Sequence, residues 1–488
     1  MKVLLKKGNP QLPDNYRPIA IIPMLYKLFS KILHARVKHI LVAAQSVDQA
    51  GFRPGFSCDD HLFAVTLIAD KLKEFHKPLW LVVVDFKKAF DSIEHGSLWD
   101  SLSEQKVPSA YIQCLQNLYT DQRAYVDTDK KSKHLHIGRG TKQGDPISPS
   151  LFNATLEKCM RAAKARWVRK KWGISVGYGE EGQLTNLRFA DDIMLLGRSL
   201  SQVKEMLADL VREAGKVGLE IHPDKTKIMN NGIGIHQNVC EVEVAGRTIE
   251  ILPRDQSAMY LGRLLNLGSL HDTELDHRLR RAWAKFGAFK QQLLDPDYSL
   301  FQRLRLFQAT VTPTALYGSC SWSMTQAREH TLRTAQRKML RAILGRGRRR
   351  IEKSDDSSHS SLPSEPFQPG EEDEVHLESW VEWKQRTTNH VLHILNKLKM
   401  LEWPEEQRRR QWRWAGEVAR RQDGRWTKRV LHWVPDGQRR RGRPATRWDG
   451  RLIEYFKGSE NWWKVAKDRV HWNDLEPGFV FGEPERAS

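Results

Sequence analysis

The chain has 488 residues, 40% of them hydrophobic, and a formal charge of +20. That length holds two or more domains with cores of their own, and the apolar content excludes wholesale disorder. So large a positive surplus speaks of partners, nucleic acid first, with a membrane surface or an acidic protein as the other options.

Cysteine use narrows the setting. The five cysteines (Cys58, Cys114, Cys159, Cys240, Cys320) are scattered, without a Cys-x-x-Cys pair, which argues against a zinc knuckle or a disulfide framework and for a reducing compartment. The apolar run within Met1–Pro10 is too short for a signal peptide, and nothing approaches the roughly 20 apolar residues of a membrane-crossing helix. The expectation is a soluble intracellular protein of nucleus or cytoplasm, or a piece of something larger. Oligomeric state is not legible.

Along the chain, helical spacing of Leu25, Leu28, Phe29, Ile32, Leu33, Val37 and Ile40 predicts a helix over 25–41. A second is expected over 61–75. Leu79–Val84 is a continuous apolar run rich in β-branched residues, the mark of a strand buried on both faces. It ends on Asp85. A Gly- and Pro-rich stretch, Gly138–Pro149, leads into a helix over 151–164. Two short apolar runs flanking Asp191-Asp192 predict a hairpin over 187–196, followed by a helix over 201–215. Three helical patterns with basic faces fill about 274–345. At 346–374 the composition shifts to Arg, Ser, Asp, Pro and Glu, which marks a linker.

Asp85 at a strand end and Asp191-Asp192 at a hairpin tip are, singly, ordinary turn residues. Together they make a site for hard cations. Magnesium takes oxygen ligands and shares them with phosphate, and two such ions about 3.5–4 Å apart stabilise both oxygens of a phosphoryl transfer.

Val84-Asp85-Phe86-Lys87-Lys88-Ala89-Phe90-Asp91 resembles the first palm motif of reverse transcriptases. Phe189-Ala190-Asp191-Asp192 resembles their second catalytic motif, in the Phe-Ala form of non-LTR elements. The family's order is kept by Asn15-Tyr16-Arg17-Pro18-Ile19, Gln49-Ala50-Gly51-Phe52-Arg53, Gly140–Pro149 with Leu151-Phe152-Asn153, Leu219–Met229, and Tyr260-Leu261-Gly262. The resemblance to a LINE-like, RTE-type retrotransposon reverse transcriptase implies an α+β right-hand polymerase. It implies two magnesium ions, for which manganese can substitute, on Asp85, Asp191, Asp192 and the Phe86 carbonyl. It further implies nucleotide contacts from Arg17, Phe90 (against a 2′-hydroxyl), Gln143 and Gly144. Lys225 becomes a candidate proton donor to pyrophosphate, with Lys6 or Lys7 as possible helpers, and Tyr260-Leu261-Gly262 the primer grip. The partners so implied are an RNA template, a DNA primer or target, and deoxynucleoside triphosphates.

The domains expected are fingers over 1–80, palm over 81–265, thumb over 266–345, linker over 346–374 and a basic module over 375–488. In the thumb, Leu275, Leu279, Phe286, Phe289 and Leu293 are expected to face the palm, leaving Arg278, Arg280, Arg281 and Lys285 for a duplex backbone. Eleven of the 17 tryptophans lie between Trp380 and Trp472, and Arg408–Arg451 holds fifteen Arg or Lys against four acids. Interleaved Arg and Trp suit single-stranded nucleic acid, which nominates Arg413, Arg440, Arg441, Arg443 and Trp448 in a module that binds RNA on its own. A small Trp-cored domain with a basic surface is the alternative. The chain is read as starting within the fingers, without an upstream endonuclease. Two rival readings stand beside RNA-directed DNA polymerase: an impaired remnant that only binds RNA, and a group II intron maturase-like protein.

Overall fold

The computed structural model describes all residues except 7, 129, 178–181, 236–238, 350–376, 440–441, 443–444, 458–460 and 483–488. Its centre is a six-stranded sheet. Across it the strands run Glu241–Val244, Arg247–Ile251, Lys227–Asn230, Trp80–Val84, Asp192–Gly197 and Asn186–Phe189. Only Lys227–Asn230 and Arg247–Ile251 pair in parallel.

The apolar 79–84 run forms the inner strand, antiparallel to Lys227–Asn230 on one side and Asp192–Gly197 on the other. Successive side chains of a strand point to opposite faces. Trp80, Val82 and Val84 therefore join a core built with the helices Ser148–Arg169 and Leu200–Gly215. Leu79 and Leu81 join the opposite core, built on the Cys58–Glu74 helix. Both faces are covered, as a continuous apolar run requires.

The first helix forms where its spacing predicts, over Met24–Ala44, and buries only Ser30, Leu33, Val37 and Leu41. Leu25, Leu28, Phe29 and Ile32 are exposed instead, Leu25 by 82%. Periodicity located the apolar stripe, but packing uses only its C-terminal half.

The helices Leu270–Ala288, Lys290–Leu294, Leu300–Ala315 and Gln326–Leu344 make a thumb with its own core. Leu275, Phe286 and Leu293 lie inside that core rather than against the palm, with Leu279 and Phe289 at its edge. Arg278 is also corrected: it is 6% exposed, donates to Glu274 at 2.6 Å and reaches the Gly262 carbonyl, so it grips the hairpin Ala258–Leu265 and not a duplex. Arg280, Arg281 and Lys285 stay on the surface.

The described residues after 376 do not stand apart. The Trp380–Lys397 helix and Trp403 complete the thumb core, and the Trp426–His432 helix, Trp414 and Trp448 pack on the Cys58–Glu74 helix. Phe63 of that helix meets Trp448 and Trp414 edge-on at 4.7 and 5.8 Å. Lys71 Nζ donates to the carbonyls of Val430, Leu431 and Trp433 at 2.8, 2.8 and 2.5 Å, capping the Trp426–His432 helix with positive charge. Trp448 is 2% exposed and donates to the Cys320 carbonyl at 2.6 Å, so it is a core residue and not a platform for bases. Trp403, Trp412 and Trp472 are fully enclosed. The arginines are engaged too: Arg408 with Glu329, Arg410 with Glu406, Arg413 with Glu476 through both nitrogens at 2.9 Å, Arg439 and Arg447 with Glu74. Arg440, Arg441 and Arg443 lie outside the described residues.

The tightest tie is Asp60, itself part of the capping box that opens the Cys58–Glu74 helix. Buried, it pairs with Arg421 and, at 3.2 Å, with Arg425, both buried as well. Breaking a buried pair strands an uncompensated charge, which costs about 3–5 kcal/mol. Asp60→Ala is thus expected to lower the unfolding free energy by about that amount, measured by urea titration. A change under about 1 kcal/mol would show that the tail is not anchored there.

Candidate active site

Asp85 follows the inner strand where its backbone turns off the sheet. Its carbonyl accepts from the His222 amide at 2.7 Å and its own amide donates to Thr226 Oγ1 at 3.4 Å. Phe86, buried, bridges to Ile221. Residues 219–226 thereby hold the first carboxylate from behind. Lys225 comes from the same segment, with Nζ 3.3 Å from Asp85 Oδ2. That oxygen is buried and accepts no hydrogen bond.

Asp191 and Asp192 sit on the hairpin beside it. Phe189 pairs with Asp192, which leaves Ala190-Asp191 as a two-residue turn. Ala190 has φ of 56°, where glycine is preferred. A left-handed alanine costs roughly 1–2 kcal/mol, so something must hold it. Gln49 does: its Oε1 accepts from the Ala190 amide at 2.9 Å and the Gly51 amide at 2.8 Å. Asn153 donates to the Gly51 carbonyl at 2.8 Å and accepts from Gln49 at 3.4 Å. A Cβ on Gly51 would lie 2.3 Å from the Ala190 nitrogen, so only glycine allows this approach.

Burial in the cleft, followed by the charge of Asp85, raises the Asp191 pKa. Desolvation and then Asp191 and Asp85 push that of Asp192 up to about 6. The three carboxylates therefore act on one another, as the sequence placed them. Their donor set suits a hard cation. The buried Asp85 Oδ2 accepts no hydrogen bond and already faces the positive charge of Lys225. Among the described residues no three His, Cys, Asp or Glu side chains form a ready-made metal cage.

The nucleotide side of the cleft is built from 140–147. Gly144, at φ 112°, lies where a Cβ would come within 2.9 Å of the Ala20 carbonyl. Gln143 donates to Asp91 at 2.9 Å, and its carbonyl accepts from the Ala20 amide at 2.8 Å. Arg17 and Lys6 act electrostatically on both Asp91 and Asp191, which puts them over the same cleft; Lys7 lies outside the described residues. Phe90 stacks on Phe152 at 4.3 Å and meets Phe52 edge-on at 6.2 Å, yet stays half-exposed. Lys142, not singled out in the sequence, sits over the rings of Tyr26 and Tyr119 at 4.1 and 4.9 Å, and burial lowers its pKa to about 8. Tyr260 is buried and donates to the Leu187 carbonyl at 3.3 Å; Leu261 and Gly262 form the tip of its hairpin. Tyr317 donates to the Leu261 carbonyl at 2.8 Å.

A sheet that brings a carboxylate-ended strand against a carboxylate-tipped hairpin, flanked by fingers and thumb, is the palm of a right-hand nucleic acid polymerase. A family model for reverse transcriptase (RNA-dependent DNA polymerase) matches residues 4–264, and the chain belongs to that family, in its non-LTR retrotransposon class. It is 30% identical over 297 residues to a transposon-derived protein of Caenorhabditis elegans, itself uncharacterized, covering 59% of this chain and 94% of that one. It is 28% identical over 222 residues to the Pol polyprotein of retrotransposable element R2DM of Drosophila melanogaster (45% of this chain, 20% of that one). Identity is 27% over 351 residues with the R2 polyprotein of Popillia japonica (70% and 46%). The chain thus spans nearly all of the nematode protein but under half of either R2 polyprotein. Among the described residues no helix is long and apolar enough to cross a membrane.

Two outcomes are expected. Gln49→Leu removes the acceptor for two buried amides, each worth about 1–3 kcal/mol, and loosens the Ala190-Asp191 turn. Nucleotide incorporation should slow at least about tenfold, the effect of about 1.4 kcal/mol on a barrier, while template–primer affinity is retained. An unchanged rate in folded Gln49→Leu protein would mean the turn holds itself.

The second concerns pH without divalent cations. Asp192 has a folded pKa raised to about 6, against 3.8 unfolded. Between these values the folded state holds more protons, so stability falls as pH rises. Asp192→Asn, which does not titrate, should therefore melt above the unmodified chain at pH 7.5, with the gain gone by about pH 4. A melting-temperature difference that does not vary with pH would contradict the crowding of these carboxylates.

Proposed function

We propose that this chain extends a primer 3′-end with deoxynucleotides on an RNA template, and that Asp85, Asp191 and Asp192 hold two magnesium ions for that step. The single observation that supports this most is the buried Asp85 Oδ2, without a hydrogen bond, beside two carboxylates with raised pKa values. Magnesium, when bound, would activate the 3′-hydroxyl and neutralise charge on the triphosphate; manganese can take its place.

The remaining groups bind and orient. Asp85 and Asp191 supply acceptor oxygens, and Asp192 adds negative charge at the rim. The Phe86 carbonyl is offered as a further ligand. Arg17 faces the triphosphate as a two-pronged donor, with Lys6 adding positive charge. Gln143, held by Asp91, and Gly144 line the position of the incoming base and sugar. Lys225 balances Asp85 before substrate arrives, and its 62% exposed side chain is free to turn toward the departing pyrophosphate and protonate it. Tyr260, Leu261 and Gly262 seat the primer end, and Arg281 meets the product backbone. The intact set of Asp85, Asp191 and Asp192 argues against a remnant that binds RNA but cannot polymerise.

The test is primer extension by the purified chain on an RNA template. Asp191→Asn should lose extension by at least about a thousandfold, roughly 4 kcal/mol of transition-state stabilisation, and stay folded. Retained extension at saturating magnesium would overturn the metal assignment. In the same assay Phe90→Val should raise ribonucleotide use relative to deoxynucleotide use. An equal ratio would leave Phe90 as a partner of Phe152 only.

A further inference from the structure

On the thumb, outside the cleft, positive charge and aromatic rings alternate across three helices. Lys338 of the Gln326–Leu344 helix lies over the ring of Trp283 on the Leu270–Ala288 helix, 5.8 Å from its centroid. One turn on, Arg341 lies 6.0 Å over Trp383 of the Trp380–Lys397 helix. Trp383 meets Trp380 edge-on at 5.4 Å, and Arg348 lies 5.0 Å over Trp380. The rings are open to water: Trp380 is 66% exposed and Trp283 37%. Tryptophan is highly buried on average, so an exposed pair on one stripe asks for an explanation.

The stripe is held in place and left positive. Arg348 donates to the carbonyls of Glu378 and Leu377 at 2.6 and 3.3 Å, Trp383 to that of Arg346 at 3.0 Å, and Arg341 to Thr388 at 3.1 Å. Among the described residues, the nearby acids Glu378 and Glu382 are occupied. Glu378 is buried against Arg386 and accepts from the Arg349 amide at 3.0 Å, and Glu382 caps its helix through the Ser379 amide at 2.9 Å. Among the described residues no carboxylate lies in ion-pair range of Lys338, Arg341, Arg346, Arg348 or Lys384. The field is felt locally: burial and then Arg346 lower the pKa of His390, and burial and then Arg337 lower that of Arg341.

We propose that this stripe binds single-stranded RNA, with Trp380 and Trp283 stacking on bases and Arg346, Arg348, Lys338 and Lys384 meeting phosphates. Exposed rings can take unpaired bases on the side away from their cations, and the cations beside them match the adjoining phosphates. A duplex would use the cations but hide its base faces. The chain's family copies RNA, which makes a length of RNA strand outside the cleft the fitting occupant. The interaction is distinct from polymerisation and does not depend on the carboxylates.

The test uses the full chain in an Asp191→Asn background, so that failure of the polymerase assignment and failure of the stripe remain separable. An unstructured, fluorescently labelled RNA oligonucleotide is titrated at several salt concentrations. Trp380→Ala should weaken binding roughly fivefold to a hundredfold, with little change in salt dependence, and Trp380→Phe should restore most of it. Arg346→Gln with Lys384→Gln should flatten the log–log salt slope by about 1.4, at about 0.7 per phosphate contact. Melting curves check that each variant is folded, which the exposure of Trp380 favours. Three results would overturn the proposal: unchanged affinity in Trp380→Ala, an equal loss with duplex RNA, or displacement of Trp380-dependent binding to an acidic peptide with no RNA effect.

Discussion

Like charges at close quarters repel, and the palm is arranged to keep three of them at one end of a sheet. Asp85 is fixed by the pairing of its strand on both sides and by the Ile221–His222 backbone behind it. Asp191 is fixed by a strained turn that Gln49 and Gly51 clamp. The result is a site in which the Asp191 and Asp192 pKa values are raised and the buried Asp85 Oδ2 faces the Lys225 ammonium. A bound cation would relieve the repulsion between the carboxylates.

The clamp connects to the far end of the chain. Asp48, one residue before Gln49, accepts from the Trp426 indole at 2.8 Å and from Lys164 at 2.6 Å. Asp60, Arg421 and Arg425 hold the same tail helices a few ångströms away along the Cys58–Glu74 helix. Some of the tail's arginines and tryptophans thus fasten it to the Cys58–Glu74 helix, while Arg408 and Trp403 join the thumb and Trp412 stacks on Trp472 within the tail. Among the described residues, one group of cations without acidic partners lies on the thumb, where exposed rings accompany it.

What local pattern determines was legible in the sequence. Leu79–Val84 and the runs around Asp191-Asp192 read as strands because buried strands impose an apolar run and a turn between pairs demands polar residues. The resemblance of the motifs then placed Asp85 beside Asp191. Gln49 was visible as part of a motif, but its job depends on a contact with Ala190 across 141 residues, which spacing cannot show. Trp448 and Arg278 failed for a related reason. Composition does not distinguish a tryptophan that stacks on a base from one packed on Phe63, nor an arginine facing phosphate from one facing Glu274. The partner, not the residue, decides.

The cation dependence of the site can be measured without catalysis. A template–primer ending in a dideoxynucleotide, with the next nucleotide added, lets the ternary complex assemble but not react. Its melting temperature in the unmodified chain is expected to rise with magnesium. In Asp85→Asn, which removes both repulsion and ligand, the metal-free chain should melt higher and the magnesium increment should vanish. An increment of equal size in Asp85→Asn would contradict the assignment of the palm carboxylates as the cation site.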